Sequence, residues 1–123
     1  MSVRVFAIIL CLACVSACGS STSPSSTPAP APTGATTVTI VSGASTLSTT
    51  AYSPPNATVA VGTTVSWLNS DNTAHTSVAN NGVAFNSGDI APNARFNFTF
   101  TTAGSFPYHC VIHPNMVGTI TVQ

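Results

Sequence analysis

The chain has 123 residues, of which only Arg4, Asp71, Asp89 and Arg95 carry formal charge, and the net charge is zero. With 3% charged residues and no lysine, it cannot neutralise a phosphate backbone, which excludes a nucleic-acid binder. Ser, Thr and Asn supply 44 residues, yet 44% of the chain is apolar at short regular intervals, so disorder throughout is excluded and one small core is affordable.

Residues 1–17 read as a secretory signal: Arg4, an apolar run from Val5 to Val15, then the small residues Ser16 and Ala17. The run is short of the roughly 20 residues that span a bilayer. Cys11 and Cys14 lie inside it and would leave with it, so their C-x-x-C spacing does not read as a redox motif. Val15-Ser16-Ala17-Cys18 resembles a bacterial lipobox. That resemblance implies acylation of Cys18 and a lipid-anchored, extracytoplasmic protein, on the periplasmic side of a membrane or at the cell surface. The alternative is an ordinary cleaved signal that leaves Cys18 as a bystander thiol. From Cys18 to residue 35 the chain is rich in Ser, Thr, Pro and Ala, with four prolines and no large apolar side chain. Such a segment cannot bury enough surface to offset ordering, and is expected to be an extended tether.

From Thr36 the pattern has period two. Val38 and Ile40, Val59 and Val61, Val65 and Trp67, Phe96, Phe98 and Phe100, and Ile120 and Val122 each alternate with polar or small residues. This is the signature of half-buried strands. Turn signals separate them at Ser53-Pro54-Pro55-Asn56, Val61-Gly62, Asn80-Asn81-Gly82, Ser87-Gly88-Asp89, Pro92-Asn93 and Ala103-Gly104. No window carries a helical stripe, and a short helical turn near 83–90, for which there is room, has no support in the pattern. Residues 36–123 are therefore expected to form one all-β domain, a sandwich or small barrel.

Removal of the signal and acylation of Cys18 would leave one thiol, Cys110, in an oxidising compartment where it has no partner for a disulfide. Cys110, His113 and Met116 follow a C-x2-H-x2-M spacing in a segment containing Pro114 and followed by Gly118, as a tight loop would. Thiolate, imidazole and thioether form a soft donor set suited to copper, and His75, in the loop after Val65–Asn69, can supply a fourth donor. Two histidines and a cysteine with a weak axial methionine is the blue-copper arrangement. Zinc is the main competitor, but structural zinc sites use more Cys or His and no Met. Each residue alone has a plainer reading: Met116 as core, His113 and His75 as loop residues. Tyr108 shares the phase of Cys110 and reads as core, and His109 faces the other way as a surface histidine. Asp71 and Asp89 form no recognisable acid–base pair, and no Ser-His-Asp arrangement argues for a hydrolase.

Trp67-Leu68-Asn69-Ser70-Asp71, His75-Thr76-Ser77-Val78 and Tyr108 through Gly118 together resemble the two halves of a cupredoxin site. Within the plastocyanin/azurin group, the short ligand loop is most similar to that of the amicyanins. The resemblance implies a Greek-key β-sandwich holding one copper, cycling between Cu(I) and Cu(II), at one end. It implies outer-sphere one-electron transfer between extracytoplasmic redox proteins rather than enzymatic turnover. His75, Cys110, His113 and Met116 are the implied ligands, with Asn69, Asp71, Thr76 and Ile112 around them. Thr76 stands where the family commonly has Asn, and Ile112 where Pro often precedes the second histidine. The Ile112 N–H is thereby free to donate to the Cys110 sulfur. Partners are expected to dock on an apolar patch of Val111, Ile112, Pro114 and Val117 beside His113, with the chain itself a monomer. Two other classes remain open: a copper storage or delivery module, and a structural envelope lipoprotein.

Overall fold

The computed structural model describes residues 35–123; the signal, Cys18 and nearly all of the tether lie outside the described residues. Eight strands follow in order: β1 (Thr36–Ile40), β2 (Tyr52–Ser53), β3 (Asn56–Val59), β4 (Thr64–Asn69), β5 (Val78–Ala79), β6 (Arg95–Thr99), β7 (Gly104–His109) and β8 (Val117–Val122). They form two four-stranded sheets, ordered β2-β1-β4-β6 and β3-β8-β7-β5. Both sheets are mixed: β1 runs parallel to β4 and β3 parallel to β8, while the other pairs are antiparallel. The expected all-β sandwich is present.

The alternating residues explain the core. Val38, Ile40, Val65 and Trp67 of the first sheet face Tyr108, Ile120 and Val122 of the second, all buried. Trp67 sits at the centre, with Phe85, Phe96 and Tyr108 rings at centroid distances of 5.2, 5.6 and 5.5 Å. Aromatic pairs at such spacing add about 0.5–1.5 kcal/mol each beyond the area they bury. Gly118 of β8 lies opposite Tyr108 of β7. A Cβ at residue 118 would come within 2.5 Å of the tyrosine Cζ, so the bare backbone is what lets the ring lie across the strand.

One local expectation differs. Val61 is exposed rather than core, because β3 ends at Val59 and the chain turns through Gly62, whose φ of +88° falls in the left-handed region. Residues 83–90 contain no helical turn. Instead they are stitched to the His75–Ala79 stretch by bridges pairing His75 with Ile90 and Val78 with Asn86. A 3-10 turn occurs elsewhere, at Ala44–Thr46.

Candidate metal centre

Cys110 follows directly on β7, and Val117 opens β8, so the ligand loop spans the antiparallel β7–β8 pair. Two main-chain bonds curl it: Cys110 N–H donates to Met116 O at 3.1 Å, and Met116 N–H to His113 O at 3.0 Å. His75 comes from the β4–β5 connection and is held by reciprocal main-chain bonds with Ile90, at 3.2 and 2.7 Å. These elements converge at one end of the sandwich.

There, His75 Nδ1 and His113 Nδ1 each lie 3.9 Å from Cys110 Sγ and 3.2 Å from one another. The three donor atoms fall within 4.8 Å, a spacing that one metal ion can bridge. His75, Cys110 and Met116 are fully buried and His113 is partly exposed. Cys110 has no disulfide partner among the described residues. A thiolate and two imidazoles on one point are soft and borderline donors, which fits copper.

The surrounding hydrogen bonds make the site rigid. Thr76 uses all three of its polar groups: its N–H donates to Cys110 Sγ at 3.3 Å, its Oγ1 accepts from Val111 N–H at 2.9 Å, and its carbonyl accepts from Tyr52 O–H at 2.6 Å. The two ligand loops are thus latched by a hydroxyl where the family commonly uses an amide. The main-chain donor to the sulfur is Thr76, not Ile112: the residue after His75 brings its N–H to within 3.3 Å of the thiol. Asn69 spans its loop, donating to Thr73 O at 2.7 Å and Ile90 O at 2.8 Å, while its Oδ1 accepts from Asp71 N–H at 2.9 Å. Asp71 Oδ2 lies 2.9 Å from His75 Nε2. The hydrogen bond from His75, followed by that from Gly43 N–H, outweighs burial and holds the Asp71 carboxyl well below the usual carboxylate range.

A family model for the cupredoxin-like domain matches residues 6–122. The chain belongs to the cupredoxin-like family. Amicyanin from Paracoccus denitrificans is 34% identical over 76 residues, which are 58% of this chain and 58% of that protein. The chain thus matches somewhat under two thirds of that relative's length. Among solved structures, a purple cupredoxin from Nitrosopumilus maritimus superposes with a TM-score of 0.65 at 35% identity, covering 72% of this chain and 99% of that one. A copper-containing nitrite reductase from Thermus scotoductus superposes at 0.61 and 28% identity, over 72% of this chain but only 22% of the reductase. The cupredoxin fold therefore occurs both alone and as part of a larger enzyme.

The remaining residues fall as follows. His109 is half-buried on the far side of β7 from the thiol and its Nδ1 lies 2.7 Å from Asn80 Oδ1, while Tyr108 is fully buried. Sequence reasoning passed over Tyr52 and Phe85. Tyr52 sits in a two-residue strand too short to show alternation, and Phe85 in a stretch without regular structure. Neither carries a local signal.

Proposed function

We propose that the chain is a type 1 copper electron carrier rather than an enzyme, and that His75, Cys110, His113 and Met116 are the residues that would hold the copper. The convergence of the two imidazole Nδ1 atoms on the Cys110 sulfur carries this reading. Copper bound there would supply a one-electron couple. The chain's own residues do the rest. The Thr76 N–H stabilises negative charge on the sulfur, and hydrogen bonds of this kind tune the potential of such sites. The Thr76 latch and the Asn69 bridge hold both loops in one arrangement, so little movement need accompany a change of oxidation state.

His113 is the more exposed of the two ligand histidines, and Val111 and Ile112 beside it are 53% and 45% exposed. With Pro114 exposed and Val117 half-buried, they supply the apolar face on which redox partners dock. Among the described residues only Asp71, Asp89 and Arg95 are formally charged, and Asp71 is buried. Docking is therefore driven by apolar contact, and the exchange rate depends weakly on ionic strength. Lipidation at Cys18 would hold this domain, as a monomer, at an extracytoplasmic membrane face, where tethering raises its concentration near partners; the lipobox-like sequence supports this part of the reading.

Voltammetry of the copper-loaded full chain tests the carrier reading. A reversible one-electron wave that persists over repeated cycles, with rates little changed by salt, is expected. Loss of copper on reduction would favour storage or delivery instead.

A further inference from the structure

Asp71 is a carboxylate only 5% exposed, and its burial is tolerable because both oxygens are fully engaged. They are engaged differently. Oδ1 accepts two main-chain N–H groups, Gly43 at 3.0 Å and Asn72 at 2.8 Å. Oδ2 faces side chains, His75 Nε2 at 2.9 Å and Thr73 Oγ1 at 3.3 Å. Gly43 belongs to the β1–β2 connection, 28 residues earlier, and takes a left-handed φ of +74° to present its N–H. The main chain therefore fixes which oxygen looks at His75. An ionised carboxylate only accepts, so the imidazole proton must sit on Nε2. That leaves Nδ1, the atom 3.9 Å from Cys110 Sγ, with its lone pair bare.

We infer that Asp71 is a positioning residue: anchored by the Gly43 and Asn72 amides, it selects the Nε2–H tautomer of His75 and so presets the metal-accepting nitrogen. This rests on the reading of His75 as a ligand. It carries a consequence that a merely structural role does not. In Asp71→Asn the two main-chain donors still demand an oxygen, which turns the new NH2 toward His75 Nε2. That group donates, so it makes Nε2 an acceptor and drives the proton onto Nδ1, where metal must bind. Asp71→Ser removes more of the side chain yet does less harm, because Thr73 Oγ1, 3.2 Å from Nε2, can take over as acceptor.

The test uses the full chain. Long-range proton–nitrogen NMR of the metal-free protein reads the His75 tautomer, and competition with a chromophoric chelator reads Cu(I) affinity. Wild type is expected to show Nε2–H. Asp71→Asn is expected to show Nδ1–H and to bind Cu(I) about 10–100-fold more weakly, the range typical when such supporting partners are lost. Asp71→Ser should fall between them. Nδ1–H in the wild type, an unchanged tautomer and affinity in Asp71→Asn, or weaker binding by Asp71→Ser than by Asp71→Asn would each overturn the inference. If Asp71→Asn does not fold, D71S/T73V decides instead: with both acceptors removed, mixed tautomers support the inference and an unmixed Nε2–H overturns it. A wild type that shows Nε2–H but takes no Cu(I) would overturn the ligand reading while leaving the tautomer assignment standing.

Discussion

Replacing Gly118 by alanine probes how tightly the β7–β8 pair is packed beneath the ligand loop. The added Cβ would stand 2.5 Å from both Cζ and Oη of Tyr108 and 2.9 Å from Cε1. Carbon atoms pack at about 3.5–4.0 Å, so the ring or the strand must move by roughly 1 Å. Tyr108 has little room to retreat: the Tyr52 ring lies edge-on at 4.8 Å and Trp67 at 5.5 Å. Overpacking of this kind costs about 1–3 kcal/mol, and a rigid neighbour puts Gly118→Ala near the top of that range. At about 4–8 °C per kcal/mol for a domain of this size, the metal-free chain should melt roughly 12–24 °C lower. Calorimetry or thermal circular dichroism reads the shift. Tyr108→Phe should not rescue the variant, since the ring carbon still clashes. Tyr108→Leu should rescue it in part, so that the double variant is less destabilised than the two single changes added together. A Gly118→Ala melting point within about 4 °C of wild type, corresponding to 1 kcal/mol or less, would refute the packing.

Thr76→Val keeps the main-chain bonds to Cys110 and Tyr52 but removes the acceptor for Val111 N–H. It should lower metal-free stability by about 1–2 kcal/mol in urea while the copper–thiolate absorption persists; an unchanged urea midpoint would contradict the latch. The pH dependence follows from Asp71, whose carboxyl is held below its ordinary value in the folded state. A depressed folded pKa means stability that is fully present above the unfolded value of about 3.9 and is lost as pH falls toward the folded one. The urea midpoint of the metal-free chain should therefore drop below about pH 4, and the advantage of wild type over Asp71→Asn should shrink there. A constant advantage down to acid pH would contradict the ionised, hydrogen-bonded carboxylate.

Much of the fold was legible because the strands repeat every two residues and the core residues are β-branched or aromatic. Val38, Ile40, Val65, Trp67, Ile120 and Val122 are all buried as the alternation requires. Val61 continues the same alternation past the end of its strand, where only the turn at Gly62 decides its exposure. The Cys110–Met116 loop was legible because its residues are close in sequence and chemically distinctive. The network around it was not. The Thr76 contacts reach across 34 residues to Cys110 and 24 to Tyr52, and the Asp71 anchor at Gly43 lies 28 residues away. Hydrogen bonds between distant loops leave no periodicity behind. Even where Thr76 and Ile112 stood out as departures from a family pattern, the donor to the sulfur became plain only once the His75 loop was placed against it.

The carrier reading stands on Cys110, with His75 and His113, binding copper through a thiolate. Adding Cu(II) to the full chain and recording the visible spectrum tests it most directly. An intense copper–thiolate charge-transfer band is expected in the wild type and should be absent from Cys110→Ser. A wild type without such a band, or a band that survives the loss of the Cys110 sulfur, would contradict the account.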